Sequence, residues 1–219
     1  MHATPPPPRR RSPGRPAVSS REEIERVAIR LFLDHGYGAT TIPMIAEASG
    51  VSRTSVFRYW GTKSEIVWGT FDLHTRRLSD LLDATDPAEP TMRAVRACVV
   101  RNLALSIEDS SLWMERFALL DSSPDLRSEE SAHWLSWAAA VTGFVARRHG
   151  IPESGVMAQS IGGAVQAAFL AVLRSWLPEP SPSPALLPEL DGELAPLCDL
   201  LQTWLDTLGL DPTGLDTTV

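Results

Sequence analysis

The chain is expected to be all-α, with an N-terminal three-helix domain containing a helix-turn-helix and a larger helical domain for ligand binding and dimerisation. Three observations lead there. Apolar residues recur at helical spacing along most of the chain, and no period-two alternation marks a strand. Proline and glycine mostly fall between the periodic segments, as at Pro124, Gly150-Ile151-Pro152 and 178–188. Residues 40–65, TTIPMIAEASGVSRTSVFRYWGTKSE, spell two short helices around a tight turn.

In chain order, residues 1–18 are rich in proline and arginine and are expected to be disordered. They form either a basic arm, with Arg9, Arg10, Arg11 and Arg15 reaching phosphates or the minor groove, or a solvated tail. Arg15 is the arm residue nearest the folded head. A first helix is predicted over 20–35, burying Ile24, Val27, Ala28, Leu31 and Phe32 and ending at Gly36. Residues 19–65 make up the head.

The helix-turn-helix has physical requirements that residues 40–60 meet. Its helices cross closely, which needs a small residue, and Ala46 fits. Gly50 can adopt the left-handed backbone of the turn. Val56 can pack the second helix on the first, with Ile45, Val51 and Phe57 supplying further apolar contacts. Thr40 or Thr41 can cap the first short helix, Pro43 suits its first turn, and Ser52 can cap the second. Thr62-Lys63-Ser64-Glu65 is a capping box for a further helix over 62–83. A plain helical hairpin shares the Ala/Gly/Val pattern. The polar residues around it favour nucleic acid: Ser52, Arg53, Thr54, Ser55, Arg58, Tyr59 and Lys63 can bond phosphates or base edges.

The helix over 62–83 places Ile66, Val67, Phe71, His74, Leu78 and Leu81 on one side and ties the head to the body, residues 66–210. Five more helices are predicted at 91–107, 111–120, 126–149, 153–177 and 189–209, with a flexible tail at 211–219. The eighth helix has a large apolar face (Ile161, Val165, Phe169, Val172, Trp176) and a small one (Ser160, Gly163, Ala164, Ala167, Ala171). The ninth carries Leu190, Leu194, Leu197, Leu201, Trp204 and Leu208. The body is rich in large residues: Trp113, Met114, Phe117, Trp134, Trp137, Phe144, Phe169 and Trp176. Most must be core. Trp113, Phe117, Trp134, Trp137 and Phe169 are the candidates for lining an apolar ligand cavity. Arg93, Arg96, Arg101 and Arg116 either neutralise an anionic part of that ligand or are solvated surface charges. His74 is either a hydrogen-bonded core histidine or borders the cavity.

The 219 residues are 43% hydrophobic with a formal net charge of −7. That charge is unevenly spread. Residues 1–64 hold ten Lys/Arg and five Asp/Glu, a net of +5, and the remainder carries −12. A basic head on an acidic body suits DNA binding by the head alone. Cys98 and Cys198 sit on apolar stripes and are expected buried and reduced, a disulfide between them being the alternative. No segment reads as long enough to span a membrane, since Gln166 and Arg174 interrupt the best candidate, and the cytoplasm is the expected location. No metal-ligand spacing, Gly-rich phosphate loop or nucleophile elbow occurs among the motifs, so no cofactor is expected and enzyme function is disfavoured.

LFLDHGYGATTIPMIAEASGVSRTSVFRYWGTKSEI, after an amphipathic helix, resembles the N-terminal domain of TetR-family transcriptional regulators over about residues 20–70. Trp60 stands where the family usually has Phe, and Thr54 where Gly is frequent. Trp68-Gly69, Phe71-Asp72, His74 and Arg77-Leu78 extend the resemblance to regulators associated with mycofactocin gene clusters. The resemblance implies a helical regulatory body, dimerisation through a four-helix bundle of the last two helices, and phosphate contacts by Thr41, Tyr59 and Lys63. Arg53, Thr54 and Ser55 are then the base-reading candidates. It also implies an acyl-coenzyme A effector. The expected function is a ligand-responsive DNA-binding regulator, most simply a repressor that binds a palindromic operator as a homodimer and is released by an apolar or amphipathic molecule. An activator of the same fold, a helical enzyme and a protein-binding adaptor are the alternatives.

Overall fold

A computed structural model describes residues 21–110, 112–177 and 185–207, without the side chains of 127–130. The arm at 1–18 with Arg15, the tail at 211–219 and Leu208 lie outside the described residues. Nine helices and no strand occur among those described. They are α1 (Arg21–His35), α2 (Ile42–Ala48), α3 (Arg53–Tyr59), α4 (Glu65–Asp83), α5 (Thr91–Asp109), α6 (Trp113–Ser122), α7 (Pro124–His149), α8 (Val156–Trp176) and α9 (Leu186–Thr207).

Local chemistry sets the helix ends. The Thr41 hydroxyl accepts the Met44 N–H at 3.5 Å and caps α2, whereas Thr40 is fully buried and donates to the Leu31 and Gly36 carbonyls. The Ser52 hydroxyl accepts the Ser55 N–H at 3.1 Å and caps α3. Gly50 turns the chain between α2 and α3 at φ 65°, a conformation that costs a side-chain-bearing residue more. At α4 the expected capping box is half made. Thr62 Oγ1 accepts the Glu65 N–H, but the Glu65 carboxylate reaches back to the Gly61 N–H at 2.7 Å, one residue early, and α4 starts at Glu65 rather than 62.

Two apolar cores result. The head core joins Ile24, Ala28, Ile29 and Phe32 of α1 to Ile45, Ala46, Val56, Trp60 and the start of α4. Leu119 and Leu120 of α6 and Leu126 of α7 belong to this core as well, so the head is completed by residues distant in sequence. The buried face of α1 includes Ile29 and Glu25, with Val27 and Leu31 only half-buried. Trp68 and Leu82 are buried on α4, where Phe71, His74 and Leu81 are half-exposed. Phe57 is 52% exposed and contributes little to the head core, contrary to expectation; Trp60, at 3%, does so instead.

The body core packs α7 against α4 and α8, α5 against α4 and α9, and α8 against α9. Cys98 and Cys198 are buried free thiols. Burial, the largest cause, raises each to a pKa of about 11; neighbouring carboxylates add to it, Glu89 for Cys98, and for Cys198 Asp199 and Asp191 against an opposing Arg96. By length and composition α8 is apolar enough to cross a bilayer, which corrects the expectation that no segment is. Its Ile161, Val165, Phe169 and Leu173 are buried in the body core. The two polar residues expected to interrupt it tie it to neighbours: Gln166 donates to the Trp134 carbonyl and Arg174 to Asp121. Of the two adjacent glycines of α8, Gly162 sits tight against α7 while Gly163 of the small face meets nothing within 4 Å, and Ser160, Ala167 and Ala171 of that face are exposed. On α9, Trp204 faces outward and Leu205 is the buried residue.

Candidate nucleic-acid interface and effector cavity

Helix α3 is anchored by one fully buried residue, Val56, and leaves its other faces open. Arg53, Thr54, Phe57 and Arg58 are exposed, and Ser52 is exposed at the cap. Residues 53 and 57, and 54 and 58, are each one turn apart, so these four share the outward side. Ser55 and Tyr59 are half-exposed at its margins. The Arg58 guanidinium donates to the Tyr59 hydroxyl at 3.2 Å and lies 4.9 Å from its ring centre. Thr41 is exposed at the start of α2. These expected DNA residues thus gather around one exposed helix. Phe57 was missed as a surface residue because its apolar character read as core. On such a face it can contact thymine methyl groups.

Lys63 has partners within the chain that the sequence did not suggest. Its ammonium donates to the carbonyls of Tyr37, at 2.7 Å, and Thr40, at 3.1 Å, and lies 4.1 Å from the Tyr37 ring centre. Burial lowers its pKa, with the Asp125 charge opposing. The side chain therefore pins the α1–α2 loop to the start of α4.

All five aromatic candidates, Trp113, Phe117, Trp134, Trp137 and Phe169, line one cavity of about 50 Å³ between α4, α5, α6, α7 and α8. Trp137 and Phe169 stack at 4.9 Å, and Phe71 meets Trp134 edge-on at 4.6 Å. Met114, Phe144 and Trp176 lie elsewhere: Trp176 donates to Glu189. Of the four arginines, Arg93 pairs with Glu89 and Arg96 with Asp191, which makes them helix-surface ties, and Arg101 is exposed. Arg116 alone reaches the cavity, with its side chain 6% exposed and paired at 2.5 Å with Glu25 of α1.

His74 is half-buried, lies in neither apolar core and borders the cavity, the second of its two expected roles. Its pKa falls to about 4, chiefly through burial, then through the Arg77 and Arg116 charges, with Asp109 opposing. It is neutral at neutral pH. Asn102 and Ser106 also line the cavity, but their oxygens are engaged by Arg77, which further pairs with Asp109 at 2.5 Å. Sequence periodicity gave no sign of these polar residues. A cleft of about 690 Å³ lies on the other side of His74 and Arg116, between α1, α4 and the α5–α6 connection. No group of His, Cys, Asp and Glu suited to a metal ion occurs among the described residues.

Comparison with known proteins agrees with this division. A Mycobacterium tuberculosis protein named for regulation of mycofactocin biosynthesis, MftR, is 29% identical over 170 residues, covering 78% of this chain and 86% of that protein. The transcriptional repressor AcnR of Corynebacterium efficiens is 25% identical over 126 residues, covering 52% of this chain and 67% of that protein. SmeT of Stenotrophomonas maltophilia, solved in complex with triclosan, shares the fold with a TM-score of 0.59 at 20% identity, over 84% of this chain and 90% of that one. Residues 24–67, which carry the exposed α3, match the family of bacterial regulatory proteins of the tetR type. Residues 89–202, which carry most of the aromatic cavity, match the MftR C-terminal domain. The chain therefore belongs to the TetR family of DNA-binding transcriptional regulators, with a regulatory domain of the MftR type.

Proposed function

We propose that the protein is a repressor that binds a near-palindromic operator as a homodimer and leaves it when an amphipathic small molecule enters the body. Arg53, Thr54 and Ser55 read bases in the major groove, joined by Phe57, while Ser52, Thr41, Arg58 and Tyr59 hold phosphates. Arg15 of the N-terminal arm adds a backbone or minor-groove contact. A cytoplasmic location follows from that role. Repression is favoured by the relative named as a repressor.

The observation that carries the effector half is the double duty of α6. Trp113, Arg116, Phe117 and Leu120 line the cavity, while Leu119 and Leu120 sit in the head core. Ligand cavities usually hold roughly 300–1,000 Å³. A cavity of about 50 Å³ must widen to admit an alkyl chain. Widening that displaces α6 also displaces its leucines from the head. The ligand then prefers the arrangement that does not suit DNA, which is the differential affinity that release requires. The experiment is displacement of a protein–operator complex, in a mobility-shift assay, by acyl-coenzyme A of increasing chain length. Release that strengthens with length is expected. Absence of release at every length rejects this ligand class, and release by free coenzyme A alone rejects the aromatic cavity as the reader.

A further inference from the structure

We propose that Arg116 is the specificity determinant of the effector site, taking an anionic acceptor such as a carboxylate at the polar end of the ligand in competition with Glu25 of α1. This rests on the effector reading above and adds to it the chemistry of the ligand's head and the group it displaces.

Two buried donors on the cavity lining have no hydrogen-bond partner: Nε of Arg116 and Nε1 of Trp134. Buried unpaired donors are costly, and both atoms are closed to solvent here, so an acceptor meets them only as the cavity widens. The other polar residues of the lining carry no charge. Arg77 occupies Asn102 and Ser106, and His74 is neutral. Arg116 is therefore the permanent charge on a wall that is mostly aromatic and aliphatic. A complementary ligand brings an apolar chain, an acceptor and a negative charge. A neutral hydrocarbon would leave both donors unmet, and a cation would face Arg116. The adjoining cleft, which shares His74 and Arg116 with the cavity, leaves room for a larger polar head beyond the acceptor.

Competition follows from what already holds Arg116. Glu25 accepts from Arg116 Nη2 at 2.5 Å and from the Thr70 hydroxyl at 2.9 Å, with its side chain only 11% exposed. A ligand carboxylate at Arg116 leaves Glu25 buried with one hydroxyl, which is unfavourable unless α1 moves to hydrate it. Even if the five donors of the guanidinium served both carboxylates, two negative charges would face one positive charge. The helix that must give way is the first helix of the DNA-binding head.

Decanoate and 1-decanol share an alkyl chain and differ in charge. Their binding is measured by quenching of tryptophan fluorescence, to which Trp113, Trp134 and Trp137 of the lining contribute, on the full chain, on Glu25→Gln and on the double variant Glu25→Gln/Arg116→Met. Replacing both partners together spares the fold the cost of one stranded charge, and circular dichroism checks it. The unsubstituted protein is expected to bind decanoate on the order of tenfold tighter than decanol, the usual advantage of a charge-assisted bond. Glu25→Gln is expected to raise decanoate affinity several-fold and leave decanol unchanged. The double variant is expected to bind both alike. Equal binding of the two by the unsubstituted protein, or a preference that survives in the double variant, overturns the role of Arg116 while leaving an apolar effector site in place. Failure of both molecules to bind any of the three proteins overturns this inference, while the acyl-coenzyme A displacement decides the effector reading separately.

Discussion

The Lys63 ammonium serves two carbonyls of the α1–α2 loop. Removing it orphans those acceptors, so Lys63→Ala is expected to lower unfolding stability by about 1–3 kcal/mol. Urea denaturation measures that, and an unchanged midpoint would return the residue to a purely phosphate role. Arg53→Ala has no such partner to orphan. It is expected to leave stability unchanged and relax base preference at one operator position by about 1–3 kcal/mol. Competition binding with single-base operator variants checks it, and equal losses on specific and random DNA would refute base reading. His74 gives a pH signature. Its folded pKa of about 4 lies below the usual 6.5, so the unfolded chain binds the proton more readily between those values. Its contribution is full above pH 6.5 and declines as pH falls towards 4. His74→Gln is expected to lessen the loss of stability over that window, compared by denaturation midpoints at several pH values. The exposure of the polar residues of α3 was legible, because polar side chains on a short helix between caps seldom turn into a core. Phe57 was not, because an aromatic residue looks the same in sequence whether it faces core or solvent.

At the scale of the element, helix ends were legible to within about three residues, since Thr41, Ser52 and Gly50 act on backbone groups beside them. Buried faces were less so. On α1 periodicity found Ile24, Ala28 and Phe32 but missed Ile29, which lies in the head core, and Glu25, which is held by Thr70 of α4 and Arg116 of α6. On α8 the tight contact is Gly162, where an added Cβ would meet Thr142 Oγ1 at 2.1 Å and the Ala138 carbonyl oxygen at 2.8 Å. Because one of those atoms is backbone, α7 and α8 must separate. Gly162→Ala is expected to destabilise by about 1–3 kcal/mol. Gly192, on the exposed side of α9, meets nothing within 4 Å. Gly192→Ala is expected to stabilise by up to about 1 kcal/mol through helix propensity. Denaturation curves of both variants test the contrast, and a neutral Gly162→Ala would mean that the helices part freely.

For the whole molecule, the surface of α8 and α9 proposes its own partner. Ala167 and Ala171 are exposed on α8, and on α9, which packs against it, Leu200 is 67% exposed and Trp204 37%. Small residues on one helix and large apolar ones on the next suit a four-helix bundle with a second copy of the chain. Ala167→Arg or Leu200→Glu is expected to convert a dimer to a folded monomer by light scattering and to weaken operator binding, since two half-sites are no longer held together. A variant that remains dimeric moves the interface elsewhere. Neither substitution touches the cavity lining.

The sequence by itself determined the helical class, the order of the helices, the caps of the helix-turn-helix and five of the six Phe and Trp residues that line the cavity, Phe71 being the sixth. Each of these is carried by contacts a few residues apart or by the rule that large apolar side chains leave water. Tertiary structure decided which distant residues complete each site. It brought Leu119, Leu120 and Leu126 into the head core, set Arg116 against Glu25, turned Lys63 inward and let Arg77 occupy the polar atoms beside the cavity. The hydrogen-bonded pairs among these join residues separated by 23 to 91 positions. No local pattern encodes them, because a charge is indifferent in sequence to which partner will desolvate it, and only the packing of α6 against α1 settles the choice.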